Sequence, residues 1–279
     1  MVNMQGKIVK IISNDYTVLV NDKKIACKAR GKFRNMNIVP LVGDNVIIDE
    51  KNHYILEILP RKNELVRPTL SNIDQVIIIV SVKHPDLDLN LLDKLLVIIE
   101  YNNILPIICL SKLDLITEEE LIEVNNVMNY YKKIGYQVYL NTEVDKIKAI
   151  FKNKISVFTG QSGAGKSTLL NKLDGNLDLE TGEISLALGR GKHTTRHVEL
   201  LDLFDGLVAD TPGFSSISFT DMKPSDIRDN FIEFNTYRDK CEYKDCMHNN
   251  EKLCEIKNKV EDSTILTSRY NNYLKFISK

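Results

Sequence analysis

The chain opens on short runs of alternating apolar and polar residues, cut by turn-forming residues. Residues 6–12 and 16–20 flank Ser13-Asn14-Asp15, Asn21-Asp22 precedes residues 24–29, and Gly43-Asp44 precedes residues 45–49. A period of two bounded by such turns predicts strands. About five short strands in so brief a stretch predict a small β-barrel of the OB type. The texture then changes. Apolar runs at residues 76–80, 106–110, 138–140, 155–159 and 207–209 alternate with helical periodicity at residues 93–101 and 118–134. Continuous Val/Ile/Leu runs separated by helices predict a mostly parallel sheet covered on both faces. From Asp221 onward the chain is polar, with one amphipathic helix expected over residues 268–277. The predicted fold is therefore an α/β domain at residues 68–220, preceded by an OB-type barrel at 1–67 and followed by a small helical unit at 221–279.

Composition narrows the class. With 279 residues, 43% hydrophobic and 27% charged, the chain has the make-up of a folded protein, which excludes collagen-like, mucin-like and wholly disordered classes. The longest apolar run, at residues 76–80, falls far short of the ~20 residues of a membrane helix. The first residues lack an apolar core followed by a small-residue cleavage site, so no signal peptide is expected. Five Cys, three of them close to one His, favour metal binding in a reducing compartment over disulfides. A cytoplasmic monomer without membrane attachment is expected.

Net charge is −1, yet residues 1–67 balance to +5, residues 68–220 to −6 and residues 221–279 to zero. A basic head is compatible with a polyanionic partner. Lys28, Arg30, Lys32 and Arg34 alternate through Lys28-Ala29-Arg30-Gly31-Lys32-Phe33-Arg34. If that stretch is extended, all four project to one side beside Phe33, a candidate RNA-binding strip. A solvated face is the competing reading.

Gly160-Gln161-Ser162-Gly163-Ala164-Gly165-Lys166-Ser167 matches G-x-x-x-x-G-K-S between a predicted strand and a helix beginning near Thr168. Glycines let successive backbone N–H groups turn toward phosphate oxygens at the positive end of a helix. Lys166 is suited to the β- and γ-phosphates, and the Ser167 hydroxyl to Mg²⁺. Asp210-Thr211-Pro212-Gly213 follows another strand, placing Asp210 to hold Mg²⁺ and the Gly213 N–H to sense the γ-phosphate. Ser111-Lys112-Leu113-Asp114 also follows a strand. The Asp114 carboxylate can accept from guanine N1–H and its exocyclic amine, and the Lys112 stem can cover the base. Ser111 stands first where the [N/T]-K-x-D pattern of P-loop GTPases has Asn or Thr; it is shorter than Asn, which bears on one supporting hydrogen bond and on affinity. Asp114 precedes Gly160 by 46 residues, the reverse of the usual order. A circular permutation preserves such a site, because strand ends meet in space whatever the chain order.

Cys241, Cys246, His248 and Cys254 supply three thiolates and an imidazole within fourteen residues. That donor set fits one tetrahedral, structural Zn²⁺ with no open position. Metal binding would also supply folding energy to a tail with few apolar residues. Cys27 and Cys109 lie in apolar runs and read as buried thiols.

A permuted GTPase with a barrel before it and a Cys/His cluster after it resembles the ribosome small-subunit-dependent GTPases, the RsgA family. The resemblance extends to Arg30-Gly31-Lys32, Pro40-Leu41-Val42-Gly43-Asp44, Arg67-Pro68, Asn72-Ile73-Asp74-Gln75 and Gly189-Arg190-Gly191-Lys192-His193-Thr194-Thr195. It implies GTP hydrolysis with Mg²⁺ in late maturation of the small ribosomal subunit, with rRNA affinity switched between the GTP and GDP states. By the same resemblance Thr195 is the switch threonine that joins Mg²⁺, and the guanine-loop motif falls at Asn141-Thr142. Many GTPases orient the attacking water with a Gln after D-x-x-G; Phe214 stands there and can neither donate nor accept. Slow intrinsic turnover, stimulated by the subunit, is therefore expected. His193 is the internal candidate to align or deprotonate water, with an RNA contact or no role as the competing readings. An ATP-dependent P-loop enzyme and an RNA-binding module with a vestigial nucleotide site are the rival classes. Lys112 and Asp114 argue against the first, and intact Lys166, Ser167 and Asp210 against the second.

Overall fold

The computed structural model of the chain describes residues 3–31, 33, 38–66, 69–175, 177, 198–210, 218–220 and 222–278. Five strands come first: β1 (Asn3–Ile12), β2 (Asp15–Val20), β3 (Lys23–Ala29), β4 (Asn45–Asp49) and β5 (Tyr54–Ile58). β1 pairs antiparallel with both β2 and β4, β3 runs parallel to β5, and β4 pairs with β5, which closes the barrel. Ile8, Val18, Val46, Ile48 and Ile55 are its fully buried core. The predicted strands are therefore present, and their pairing is that of an OB-type barrel.

The extension of β3 beyond Ala29 is not. The strand stops at Ala29, and the chain turns, with Phe33 N donating to the Arg30 carbonyl at 3.2 Å. Phe33 is buried in the barrel core. Hydrophobic burial of that ring outweighs the alternation of charges, so Lys28 and Arg30 are exposed but do not continue one straight row. Lys28 pairs with Asp15 at 3.5 Å, both largely in solvent. Lys32 and Arg34 lie outside the described residues.

A hairpin of β6 (Glu64–Val66) and β7 (Thr69–Ser71) leads into the α/β layer. Its strands are β8 (Gln75–Ser81), β9 (Leu105–Ser111), β10 (Gln137–Leu140), β11 (Ile155–Gly160), β12 (Glu199–Leu203) and β13 (Gly206–Asp210). They lie in the order β10-β9-β8-β11-β13-β12; only β12 is antiparallel to its neighbour β13. Every residue of β8 is buried, as its unbroken apolar run requires. Helices α1 (Leu89–Tyr101), α2 (Glu118–Ile134), α3 (Val144–Ala149) and α4 (Lys166–Leu173) intervene. Thr117 and Glu120 form a capping box that starts α2, and Gly135 in a left-handed conformation ends it.

Strand β12 also pairs with β1 at Glu199 opposite Lys10, so barrel and α/β layer share one eleven-stranded sheet. A second joint is polar. The buried Asp44 carboxylate accepts from the Leu41 N–H, the Ser71 hydroxyl and the Arg61 guanidinium. Beside it Gly43 has φ +97°, and a Cβ there would lie 2.0 Å from the Ser71 carbonyl oxygen, so only glycine allows the two segments to touch. The tail carries α5 (Pro224–Asp229), α6 (Glu255–Glu261) and α7 (Thr267–Ile277) around Phe231, Phe234, Tyr273 and Phe276. Among the described residues no helix is long and apolar enough to cross a membrane.

Candidate functional site

Parallel strands present their carboxyl ends along one edge, where the sequence motifs converge. Ser81 lies opposite Ser111 in the β8–β9 register, Leu110 opposite Leu140 in β9–β10, and Ile79 opposite Gly160 in β8–β11. The candidate base-reading turn, the phosphate loop and the Asn141-Thr142 turn thus share an edge despite their order in the chain. Asp210 closes β13 on the far side of β11; of its side chain nothing is described. His193, Thr195 and Gly213 lie outside the described residues.

The loop itself needs its first glycine. Gly160 has φ +142°, and a Cβ on it would sit 2.3 Å from the Ile79 carbonyl oxygen. Gly165 then caps α4, and Lys166, Ser167 and Thr168 form its first turn. Gln161, Ser162, Gly163 and Ala164 complete the loop, with Ala164 N donating to the Gln161 carbonyl at 3.1 Å. Lys166 Nζ folds back onto the Gly160 and Gln161 carbonyls at 3.1 and 3.4 Å. Burial pushes its pKa below the usual lysine value, so an anion at this loop would relieve the cost of its charge. Ser167 is buried at the head of the same helix, where a hydroxyl donor suits Mg²⁺.

Ser111 does not lack its support. Its hydroxyl donates to the Ala164 carbonyl at 2.6 Å, next to Gly165, whose φ of +97° is a left-handed conformation that favours glycine. Lys112 follows with φ +61°, and its ammonium donates to the His84 carbonyl, which lays the side chain along the edge. Asp114 stands exposed in the 3₁₀ turn Leu113–Leu115. The segment around His84 and Pro85 had no motif to reveal it, yet it abuts both the lysine and the phosphate loop.

A second candidate centre lies in the tail. One ligand atom from each of Cys241, Cys246, His248 and Cys254 falls within 4.8 Å of the others. His248 Nδ1 lies 3.6 Å from Cys241 Sγ and 3.4 Å from Cys254 Sγ, so this nitrogen is the one aimed into the cluster. Burial lowers the His248 pKa to about 4, which leaves the imidazole neutral and able to ligate at pH 7. Burial also pushes the Cys246 thiol up to about 12, so a bare site holds it protonated and a bound cation would favour the thiolate. All five cysteines are free, Cys27 and Cys109 being buried in strands as expected. The site can hold a metal ion, and the sulfur-rich donor set suits Zn²⁺.

Comparison with known proteins agrees with this geometry. The family described as RsgA GTPase matches residues 58–220, and the RsgA N-terminal domain matches residues 5–54. "Small ribosomal subunit biogenesis GTPase RsgA" of Enterococcus faecalis is 47% identical over 99% of this chain and 95% of its own length. "Small ribosomal subunit biogenesis GTPase RsgA 2" of Oceanobacillus iheyensis is also 47% identical, over 99% and 97%. Among solved structures, YloQ, described as a circularly permuted GTPase, superposes with a TM-score of 0.85 at 38% identity, covering 99% of this chain and 94% of that one. YjeQ from Thermotoga maritima gives 0.87 at 35% identity, over 99% and 98%.

Proposed function

The chain belongs to the RsgA GTPase family, and we propose that it hydrolyses GTP on the small ribosomal subunit late in that subunit's maturation. The observation that carries the nucleotide half is the Ser111–Ala164 bond, which joins a guanine-type motif to a P-loop across a permuted sheet. Lys112 and Asp114 select guanine. The amides of residues 160–165 and the Lys166 ammonium bind the β- and γ-phosphates, and Lys166 offsets charge as the bond from γ-phosphorus to the β–γ bridging oxygen breaks. Water supplies the new P–O bond, and the products are GDP and inorganic phosphate. Ser167, Asp210 and Thr195 are the residues that would hold Mg²⁺, which supplies neutralisation of the phosphate oxygens when bound. His193 aligns the water in this reading, and the Gly213 N–H reports the γ-phosphate.

Intrinsic turnover is slow, because Phe214 offers no polar atom to water, and contact with the subunit completes the site. Loss of the γ-phosphate then releases the loop bearing Thr195 and lowers the grip on rRNA. Lys28 and Arg30, with Lys32 and Arg34, contribute to that grip through phosphate contacts, and Zn²⁺ at the tail centre holds the tail's shape. The protein acts as a cytoplasmic monomer. The test is GTP turnover measured alone, with small subunits and with large subunits. Stimulation confined to small subunits supports the proposal; three equal rates overturn its ribosomal part.

A further inference from the structure

Arg269 is fully buried between the tail and the α/β layer. Its guanidinium bonds Asp93 of α1 at 2.6 Å and grips Glu233 of the tail with two nitrogens, while Phe231 covers it at 4.7 Å from the ring centroid. Burial opposes its charge, but the Glu233 and Asp93 carboxylates outweigh that and hold it protonated well above the usual value. Tyr131 of α2 also donates to Asp93 at 2.6 Å. Asn272, one helical turn from Arg269, donates to Asp93 at 2.7 Å and to the Leu89 carbonyl at 3.3 Å, and accepts from Asn90 at 2.8 Å. Helix α7 therefore clamps the first turns of α1.

The other side of those turns leads straight to the nucleotide edge. Asp88 caps α1 by accepting from the Leu91 N–H at 3.0 Å. Just before it, the His84 carbonyl receives the Lys112 ammonium, and Pro85 lies 4.0 Å from where a Cβ on Gly163 would stand. Asn90 stands six positions after His84. Shifting α7 alone would leave a buried guanidinium and buried carboxylates without partners, so the clamp resists slippage and α1 follows the tail. A movement of α1 then moves its leader against Lys112.

We propose that Arg269 and Asn272 are positioning residues for guanine nucleotide: through α1 they hold residues 84–85 against Lys112 and the phosphate loop, so that displacing the tail speeds nucleotide release. This rests on the reading of Lys112 as the cover of the guanine base. The coupling works in both directions, so bound nucleotide also steadies the tail.

The test follows release of a fluorescent GDP analogue from the full-length, metal-loaded protein. Asn90→Ala removes the clamp's outer bond without stranding a charge, and Arg269→Lys keeps the charge but loses the fork. Both are expected to speed release by about 3- to 10-fold. In a Lys112→Ala background Asn90→Ala should add less than about twofold, because the route through the lysine is already cut. A merely structural clamp would lower the melting temperature equally in both backgrounds and leave release unchanged. Wild-type release in Asn90→Ala overturns the proposal, as does an equal effect of Asn90→Ala with and without Lys112; if Arg269→Lys fails to fold, Asn90→Ala decides. Wild-type release in Lys112→Ala itself would instead overturn the base-cover reading on which the proposal stands.

Discussion

The Ser111 hydroxyl donates to the Ala164 carbonyl at 2.6 Å, tying the end of β9 to the middle of the phosphate loop. Ser111 is 1% exposed, so no solvent replaces that donor. Ser111→Ala is expected to leave the carbonyl unpaired at a cost of about 1–2 kcal/mol, or roughly 5- to 30-fold in GTP affinity if the loop relaxes. Titration with a fluorescent GTP analogue checks this, with the melting temperature of nucleotide-free protein as the control. An unchanged affinity would mean that the bond does not shape the loop.

Lys166 offers a pH test. Burial depresses its pKa, and phosphate oxygens beside it would raise it again. Binding therefore takes up a proton wherever the lysine of the free protein is partly neutral. Affinity for GDP is expected to be flat below that depressed value and to fall as pH rises through it. Lys166→Arg, which keeps its charge throughout, should flatten the curve; an identical slope would assign the dependence to another group, such as the base itself.

The contrast between legible and illegible features has a physical pattern. The runs that became β8, β9 and β11 are buried on both faces, so their apolar continuity was the signal itself. The P-loop, the Ser111–Asp114 motif and the Cys/His cluster were legible because their chemistry is local in sequence. The extended backbone expected from Lys28 to Arg34 stops at Ala29, because the Phe33 ring is buried in the barrel core. Strands β6, β7 and β12 are short and hide in mixed sequence. The pairing of Glu199 with Lys10 and of Arg269 with Asp93 could not be read at all. The latter two residues stand 176 positions apart, and the only local trace is one acid within the apolar face of α1.

Asp44 fixes the barrel to the α/β layer. It accepts from Ser71 at 2.7 Å and from Arg61 at 2.7 and 2.8 Å, and its bonds to Arg61 raise the Arg61 pKa. Arg61 remains partly hydrated and keeps Glu64 as a second partner. Asp44→Asn is therefore expected to cost about 2–3 kcal/mol, below the ~3–5 of a wholly buried pair. Glu64→Gln, on an exposed partner, should cost less than about 1 kcal/mol. Chemical denaturation of the two variants checks the order, and equal losses would refute the joint's dependence on Asp44.

At the tail centre the pKa directions predict how metal binding depends on acidity. His248, lowered to about 4 by burial, is neutral near pH 7 and has no proton to give up. Cys246, pushed up to about 12 by burial, and Cys254, raised by the same cause, are protonated there without metal. Ligation must expel the thiol protons of Cys246 and Cys254. Apparent Zn²⁺ affinity is thus expected to rise with pH between about 6 and 8, by as much as tenfold per unit for each proton released. The histidine adds to this slope only below about pH 5, close to its own lowered value. Calorimetry in buffers of different ionisation enthalpy counts the protons directly. Removing the ion should unfold the tail before the barrel, since Phe234 stacks edge-on against His248 at 5.5 Å and Tyr273 donates to the Met247 carbonyl beside it. Cys246→Ser should reproduce that loss at neutral pH without any chelator. If chelation leaves the tail's melting unchanged, the cluster does not hold it together.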